Sequence, residues 1–291
     1  MGIDQVRRST PASASASASA SESAAASPLP TPLRIGLSRV VPELKMFYRR
    51  PEQVVLTFSM PAVIGILLGS IFSTKLPNTG TSTGAVIAAS ILAYGILSTS
   101  FINLGISIAA DRDTGALRRL RGTPTTASSY FIGKIVLVAV ASLAEAVVLL
   151  SVGVIVFKLR LPTDAFGWFT LTWVFVLGIV SCSLLGIFVS NLASNAVSAA
   201  VITNGPAVAL QFVSGTYVPL MALPNWMLIL GSLFPVKWMA QGFRSVLLPP
   251  DMAAFEPAGS WEHWTTFLVL AAWSVGGLIA CLRVFRWSER R

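Results

Sequence analysis

Asp111-Arg112-Asp113-Thr114-Gly115-Ala116-Leu117-Arg118-Arg119-Leu120-Arg121-Gly122-Thr123-Pro124 is a dense charged island set between two long apolar runs, residues 85–110 and 131–157. That contrast decides the fold class. Of the 291 residues, 54% are hydrophobic and 11% charged, with a mean hydropathy of +0.73, whereas soluble domains carry about 25% charged residues. The composition is that of an all-α integral membrane protein. A hydrocarbon core about 30 Å thick needs roughly 20 apolar residues per helix, and segments 54–73, 85–110, 131–157, 166–190 and 264–284 meet that length. Residues 196–248 are apolar for longer than one span but are broken by Pro206, Pro219, Pro224 and Pro235. They read as one further span followed by shorter pieces, giving six transmembrane helices. Non-helical chain at membrane depth must be buried in protein or line a cavity, because lipid cannot satisfy its backbone groups.

Basic residues orient the spans, since cytoplasmic loops keep Lys and Arg near the span ends. Arg34, Arg39, Lys45, Arg49 and Arg50 precede the first span, Arg112, Arg118, Arg119 and Arg121 follow the second, and Arg283, Arg286, Arg290 and Arg291 end the chain. A six-span frame puts all three groups on one side. The opposite loops are poorer, with Lys75 in one, Lys158 and Arg160 in the next, and Lys237 and Arg244 in the last. The expectation is a multi-pass protein of the cell (plasma) membrane with both termini cytoplasmic. The net charge of +9 is then a topology signal, spread over membrane-proximal loops rather than gathered on a basic module, and no nucleic acid partner is expected. Cys182 and Cys281 both fall inside spans and carry no metal-type spacing, so they are assigned to packing, with no metal site.

Residues 1–32 form a separate unit. The run Ala12-Ser13-Ala14-Ser15-Ala16-Ser17-Ala18-Ser19-Ala20-Ser21, leading to Pro28-Leu29-Pro30, has no apolar surface to offset the entropy of ordering it. It reads as a disordered Ala/Ser-rich cytoplasmic tail, and Arg7-Arg8 lacks the apolar core that would make it an export signal. The second unit, 33–291, is the six-span domain. At its start Leu37, Val40, Val41, Leu44 and Phe47 recur at intervals of three and four, with Ser38, Arg39, Glu43, Lys45 and Arg49 on the other side. That is an N-terminal amphipathic helix suited to the headgroup plane, with membrane lipid as its partner. A plain juxtamembrane arginine anchor is the simpler alternative.

After the second span, residues 111–121 can form three helical turns with Ala116, Leu117 and Leu120 on one side. Gly122-Thr123-Pro124 stops such a helix, because proline disfavours helix in the residue before it. Asp111 and Asp113 at its start and Arg118, Arg119 and Arg121 toward its end match the helix dipole. A short helix that merely bound anionic lipid through its arginines would have no use for two aspartates.

Four features in order carry a family likeness: Tyr48-Arg49-Arg50-Pro51 with Pro61; Asp111-Arg112-Asp113-Thr114-Gly115-Ala116-Leu117 running to Thr123-Pro124; Gly215-Thr216-Tyr217-Val218-Pro219-Leu220 with Leu223-Pro224 and Trp226; and Phe234-Pro235 followed by Arg244. Together they resemble the membrane-spanning (permease) subunit of type-two ABC exporters, the class that includes daunorubicin-type drug permeases and polysaccharide exporters. The likeness covers roughly residues 33–291. Arg118 stands where family members often carry an acid. The resemblance implies a permease that pairs with a second copy or a sister permease, each half sitting on a separate ABC ATP-binding subunit whose closure is passed through the loop into the spans. Asp111, Arg112, Asp113, Thr114, Gly115 and Leu117 would be the contact residues of this ATPase-docking loop. Gly115 would allow close backbone approach, and the acids and Arg112 would make charge-assisted bonds. ATP and Mg would be bound by the partner, with no cofactor in this chain. In the chain itself a phosphate loop would need a Gly-rich turn followed by Lys and Ser or Thr; Gly133-Lys134-Ile135 fails at both ends, so no catalytic residue and no enzyme activity are expected.

Polar residues inside spans are the remaining signal. Glu145 lies near the middle of the third span, where an ionised side chain costs roughly 2.5–3.5 kcal/mol on insertion scales. It reads either as a group on the translocation path or dimer seam, or as a neutral carboxyl bonded to Ser or Asn of a neighbouring helix. Asn204 and Gln211, with Asn103, admit the same two readings. Asn204-Gly205-Pro206 also marks a kink in the fifth span. Residues 215–244 are expected to form a re-entrant outer hairpin between spans five and six, with Tyr217, Trp226 and Trp238 at the interface. A secondary transporter would show inverted repeats, and an intramembrane enzyme a catalytic constellation; His263 stands alone. The substrate expected is a hydrophobic or amphipathic compound, drug or lipid-like, moved out of the cell. Export of a polysaccharide or lipid-linked glycan, or a non-transporting membrane partner role, are the alternatives.

Overall fold

The computed structural model describes residues 44, 45, 49, 51–77, 79–121 and 127–284. The tail 1–32, most of the amphipathic segment 33–50, the Gly122-Thr123-Pro124 stop and the terminal Arg286, Arg290 and Arg291 lie outside the described residues. Among the described residues the chain is helical, with one isolated antiparallel bridge between Lys75 and Ser82.

Helix α1 (Pro51–Ile71) is followed by α2 (Thr83–Asp113), the short α3 (Ala116–Arg121), α4 (Ala127–Phe157), α5 (Ala165–Ser190) and α6 (Ala196–Val213). Then come α7 (Asn225–Ser232), α8 (Pro235–Leu247) and α9 (His263–Val284), with 3₁₀ turns at Leu220–Ala222 and Pro250–Phe255. The helix starts are written in side chains that satisfy orphan N–H groups. Ser82 accepts from the Ala85 N–H at 3.1 Å, Asp164 from that of Gly167 at 3.3 Å, and Asn195 forms a capping box with Ser198.

Five helices are long and apolar enough to cross a membrane: α2, α4 over Ser129–Phe157, α5, α6, and α9 over His263–Arg283. The remaining expected span corresponds to α1, whose apolar run Thr57–Ile71 belongs to the shorter class. Helices α7 and α8, of 8 and 13 residues, are too short to cross, as the prolines of 215–244 led one to expect.

Helix α2 is the centre of the bundle. Of its most apolar stretch 83% is buried inside the protein, against 22% for that of α9. Its first half packs on α1, α4 and α8, its second half on α5 and α6, while α9 lies on α5 and α8. The α1–α2 crossing is close enough to require glycine: a Cβ on Gly84 would stand 2.3 Å from the Gly69 carbonyl oxygen. Midway, residues Leu97–Asn103 of α2 are π-helical. A π-bulge widens the helix locally and recurs at functional positions; Gly186 of α5 sits against it, 2.8 Å from the Phe101 carbonyl oxygen to an added Cβ. Outward faces carry exposed apolar side chains such as Leu143, Val147, Val197, Val201 and Leu282, as lipid-facing surfaces do.

Two expectations change. Helix α2 does not stop at residue 110; no breaker intervenes, so it runs through Asp111-Arg112-Asp113 and ends at Thr114. The anticipated single helix over 111–121 is therefore split at Gly115, which has φ of 70°. Lys237 and Arg244, counted above as loop cations, lie on α8 and are buried.

Candidate functional site

The charged island faces two ways. Asp111 Oδ2 accepts from the Tyr130 hydroxyl at 2.7 Å and pairs with Lys134 Nζ at 3.0 Å. Lys134 also donates to Ser107 Oγ at 3.1 Å. Ser107 and Asp111 are one turn apart on α2, and Tyr130 and Lys134 one turn apart on α4, so the i, i+4 spacing on each helix puts all four on facing stripes. They stitch the end of α2 to the start of α4.

Arg112 points to the other neighbour. It is buried, and its guanidinium donates to the Ser190 carbonyl at 2.8 Å, the Ala193 carbonyl at 3.4 Å and Asn191 Oδ1 at 3.1 Å. A cation over the last carbonyls of α5 satisfies orphan acceptors and complements the negative end of that helix. Leu117 is fully buried in the main hydrophobic cluster. Among the described side chains of the island, those at the surface are Asp113, Thr114 and Arg119, with Gly115 half-buried between them. Thr114 folds its hydroxyl back onto the Ala110 carbonyl at 2.9 Å, and the Gly115 N–H bonds the Arg112 carbonyl at 3.1 Å. No atom lies within 4 Å of a Cβ on Gly115, so its glycine is demanded by the left-handed backbone and not by crowding. Of the six residues named for docking, the structure thus turns Asp111, Arg112 and Leu117 inward and leaves Asp113, Thr114 and Gly115 outward.

Midway along the bundle, Glu145 is buried against α2 and its Oε2 accepts a hydrogen bond from the Thr99 hydroxyl, inside the π segment. The partner is a threonine where serine or asparagine was expected. Gly95 leaves the room for it: a Cβ there would be 3.1 Å from the carboxyl carbon. Glu145 Oε1, Ser100 Oγ and Ser142 Oγ are buried without a hydrogen-bond partner among the described residues. Next to Gly95 on the same helix, Tyr94 meets the ring of Tyr217 edge-on at 5.6 Å. Asn204 and Gln211 do not join Glu145 through any hydrogen bond. Asn204 is exposed and donates to Ala200 of its own helix at 2.8 Å; Gln211 is buried, with Oε1 unpartnered among the described residues.

At the opposite end from the island, Arg244 makes a bidentate pair with Glu256, at 2.6 and 2.9 Å, and donates to Ser90 Oγ at 3.0 Å. The three tie α8, the Pro250–Phe255 turn and α2 together in the interior. Burial pushes the Lys237 ammonium below its ordinary pKa, and the group donates to Ser232 Oγ while lying 4.5 Å from the Trp238 ring centre. Among the described residues no group of three or more His, Cys, Asp and Glu could hold a metal ion.

Sequence reasoning missed Tyr130, Lys134, Asn191 and Glu256 as partners of the residues it singled out. The first two carried a readable signal in their spacing; the others are joined only by tertiary packing. Compared with known families, residues 40–248 match the model described as ABC-2 type transporter. No curated protein matches the chain.

Proposed function

The chain belongs to the ABC-2 type transporter family, whose model spans well over half its length, and from that premise we propose that it is one half of a dimeric, six-span exporter permease driven by a separate ATP-binding subunit docked on the loop 111–124. Membership makes the chain a transmembrane transport component of an ABC transporter and not itself a catalyst. The finer reading rests chiefly on the two-sided island. Asp113, Thr114, Gly115 and Arg119 offer a partner one exposed face with both charges, suited to charge-assisted bonds. Asp111 and Arg112, one turn away, are fastened to α4 and α5. A push on the exposed face is therefore carried by short, rigid bonds into two spans at once.

In this reading the island lies in the cytoplasm with both termini, the membrane is the plasma membrane, and ATP and Mg belong to the partner. The substrate is a hydrophobic or amphipathic compound, because the spans are long and strongly apolar. The partner copy completes the route; Glu145, Asn204 and Gln211 remain the candidate polar groups along it or at the seam.

The test is co-purification in detergent with the ATP-binding subunit encoded beside it. The wild type brings the ATPase down, whereas Asp113→Arg with Arg119→Glu, which alters only exposed side chains, loses it without a change in thermal unfolding. If the wild type never retains an ATPase, the reading fails.

A further inference from the structure

The hairpin between α1 and α2 and the chain after α4, far apart in sequence, enclose a surface cavity of about 730 Å³. Lys75, Lys158 and Arg160 line it with Ser73, Thr81 and Ser82, and no Asp or Glu is among the lining residues. None of the three cations has an ion-pair partner among the described residues. The Lys75–Ser82 bridge, with the Leu76 N–H bonded to the Thr81 carbonyl at 2.9 Å, fixes one wall. The cavity opens where α2 begins and the charged island lies where α2 ends; 31 helical residues separate them by roughly 45 Å, about the full thickness of a bilayer with its headgroups. A stripe of exposed apolar side chains, Val63, Leu67 and Ile71, one turn apart on α1, leads up to the rim.

Lys158 is the unusual member. Its φ is 58°, and the Leu159 N–H donates to the Gly153 carbonyl at 3.1 Å, closing a helix end at which a left-handed residue is ordinarily glycine. A lysine there strains the backbone, and a cation could complement the end of α4 from an unstrained position in its last turn. The stability of the helix end does not account for the residue; its place in the lining of the cavity does.

We propose that this cavity binds the phosphate headgroup of an anionic phospholipid in the leaflet remote from the docking loop, the acyl chains lying along the α1 stripe. The assignment to the outer leaflet rests on the orientation given under the proposed function; the site itself does not. Positive residues are depleted from that side of a membrane protein, so three converging on one hollow with hydroxyl donors between them form a phosphate-binding set.

The probe is thermal unfolding of the full chain in zwitterionic detergent, titrated with phosphatidylglycerol, phosphatidylcholine, glycerol phosphate or inorganic phosphate. Phosphatidylglycerol alone should raise the midpoint, less so at high salt. Lys75→Gln with Arg160→Gln should weaken the effect roughly tenfold or more in lipid concentration. Lys158→Gly should raise the lipid-free midpoint yet reduce the lipid response, an opposition that a merely structural lysine would not give. An equal phosphatidylglycerol response in wild type and all variants would overturn the site, and an equal response to inorganic phosphate would overturn the lipid. Co-purification with the ATP-binding subunit, read on the same variants, separates the two proposals: the ATPase retained with a lipid response indifferent to the cations sinks only this one, and the ATPase absent from wild type with a cation-dependent lipid response sinks only the exporter reading.

Discussion

The Arg112 guanidinium, in the last turn of α2, donates at 2.8 Å to the carbonyl of Ser190, the last residue of α5. Two helices are thereby joined end to end by a side chain that sequence alone marked as a partner-binding group. Charged donors on helix-terminal carbonyls are among the stronger hydrogen bonds in proteins, each about 1.5–3 kcal/mol.

Arg112→Lys keeps the charge but loses the fork that reaches Ser190 and Asn191 together. It should lower stability by about 1.5–3 kcal/mol, read as a lower thermal midpoint in detergent. A midpoint equal to wild type would mean that the contact carries no stability.

The two aspartates of the island should separate cleanly. Asp111→Asn leaves the buried Lys134 ammonium without its carboxylate and should destabilise by roughly 1–3 kcal/mol. Asp113→Asn, on an exposed side chain, should leave the midpoint within about 0.5 kcal/mol of wild type while lowering ATPase association. Equal thermal effects from the two substitutions would contradict the inward and outward assignment.

Arg244 and Glu256 are buried partners. Removing one leaves an uncompensated interior charge, so Arg244→Met should cost about 3–5 kcal/mol. The double variant Arg244→Met with Glu256→Leu should recover most of that loss, since an apolar pair of similar volume is often neutral. A double variant as unstable as the sum of the single ones would show that the pair is not coupled.

Glu145 accepts from Thr99 in the π segment. Glu145→Gln can keep that acceptor and should be mild, whereas Gly95→Val, whose Cβ would approach Leu149 at 2.9 Å and the Glu145 carboxyl carbon at 3.1 Å, should destabilise by about 1–3 kcal/mol through overpacking. Thermal unfolding of the two variants side by side checks the order; a Glu145→Gln midpoint below that of Gly95→Val would reverse it.

Five of the spans were legible because apolar length is a direct physical requirement of the bilayer, and the prolines at 219, 224 and 235 announced the short helices α7 and α8, whereas α6 runs unbroken through Pro206. The island was found by its charge, but its internal division was not. Whether an aspartate points to solvent or to Lys134 depends on where α4 starts relative to α2, which no local pattern in 111–124 encodes. The i, i+4 pairs Ser107/Asp111 and Tyr130/Lys134 were visible only as spacings without a partner. Arg244 was misplaced as a loop cation because a buried Arg needs Glu256, twelve residues on, to make sense of it, and hydropathy alone treats each charge separately. Gly115 was read as a point where a partner could approach closely; its positive φ is a reason for glycine that the sequence did not show. The cavity of Lys75, Lys158 and Arg160 joins loops about eighty residues apart, brought together by the packing of α1 and α2 against α4.

The most direct test of the docking assignment is site-specific photocrosslinking from the exposed position Thr114, with Thr79 in the hairpin before α2 as the control, in membranes that also contain the ATP-binding subunit. Docking on the island predicts a covalent adduct with that subunit from position 114 and none from position 79. An adduct from position 79, or none from position 114 while the two proteins co-purify, would contradict it and place the docking surface elsewhere.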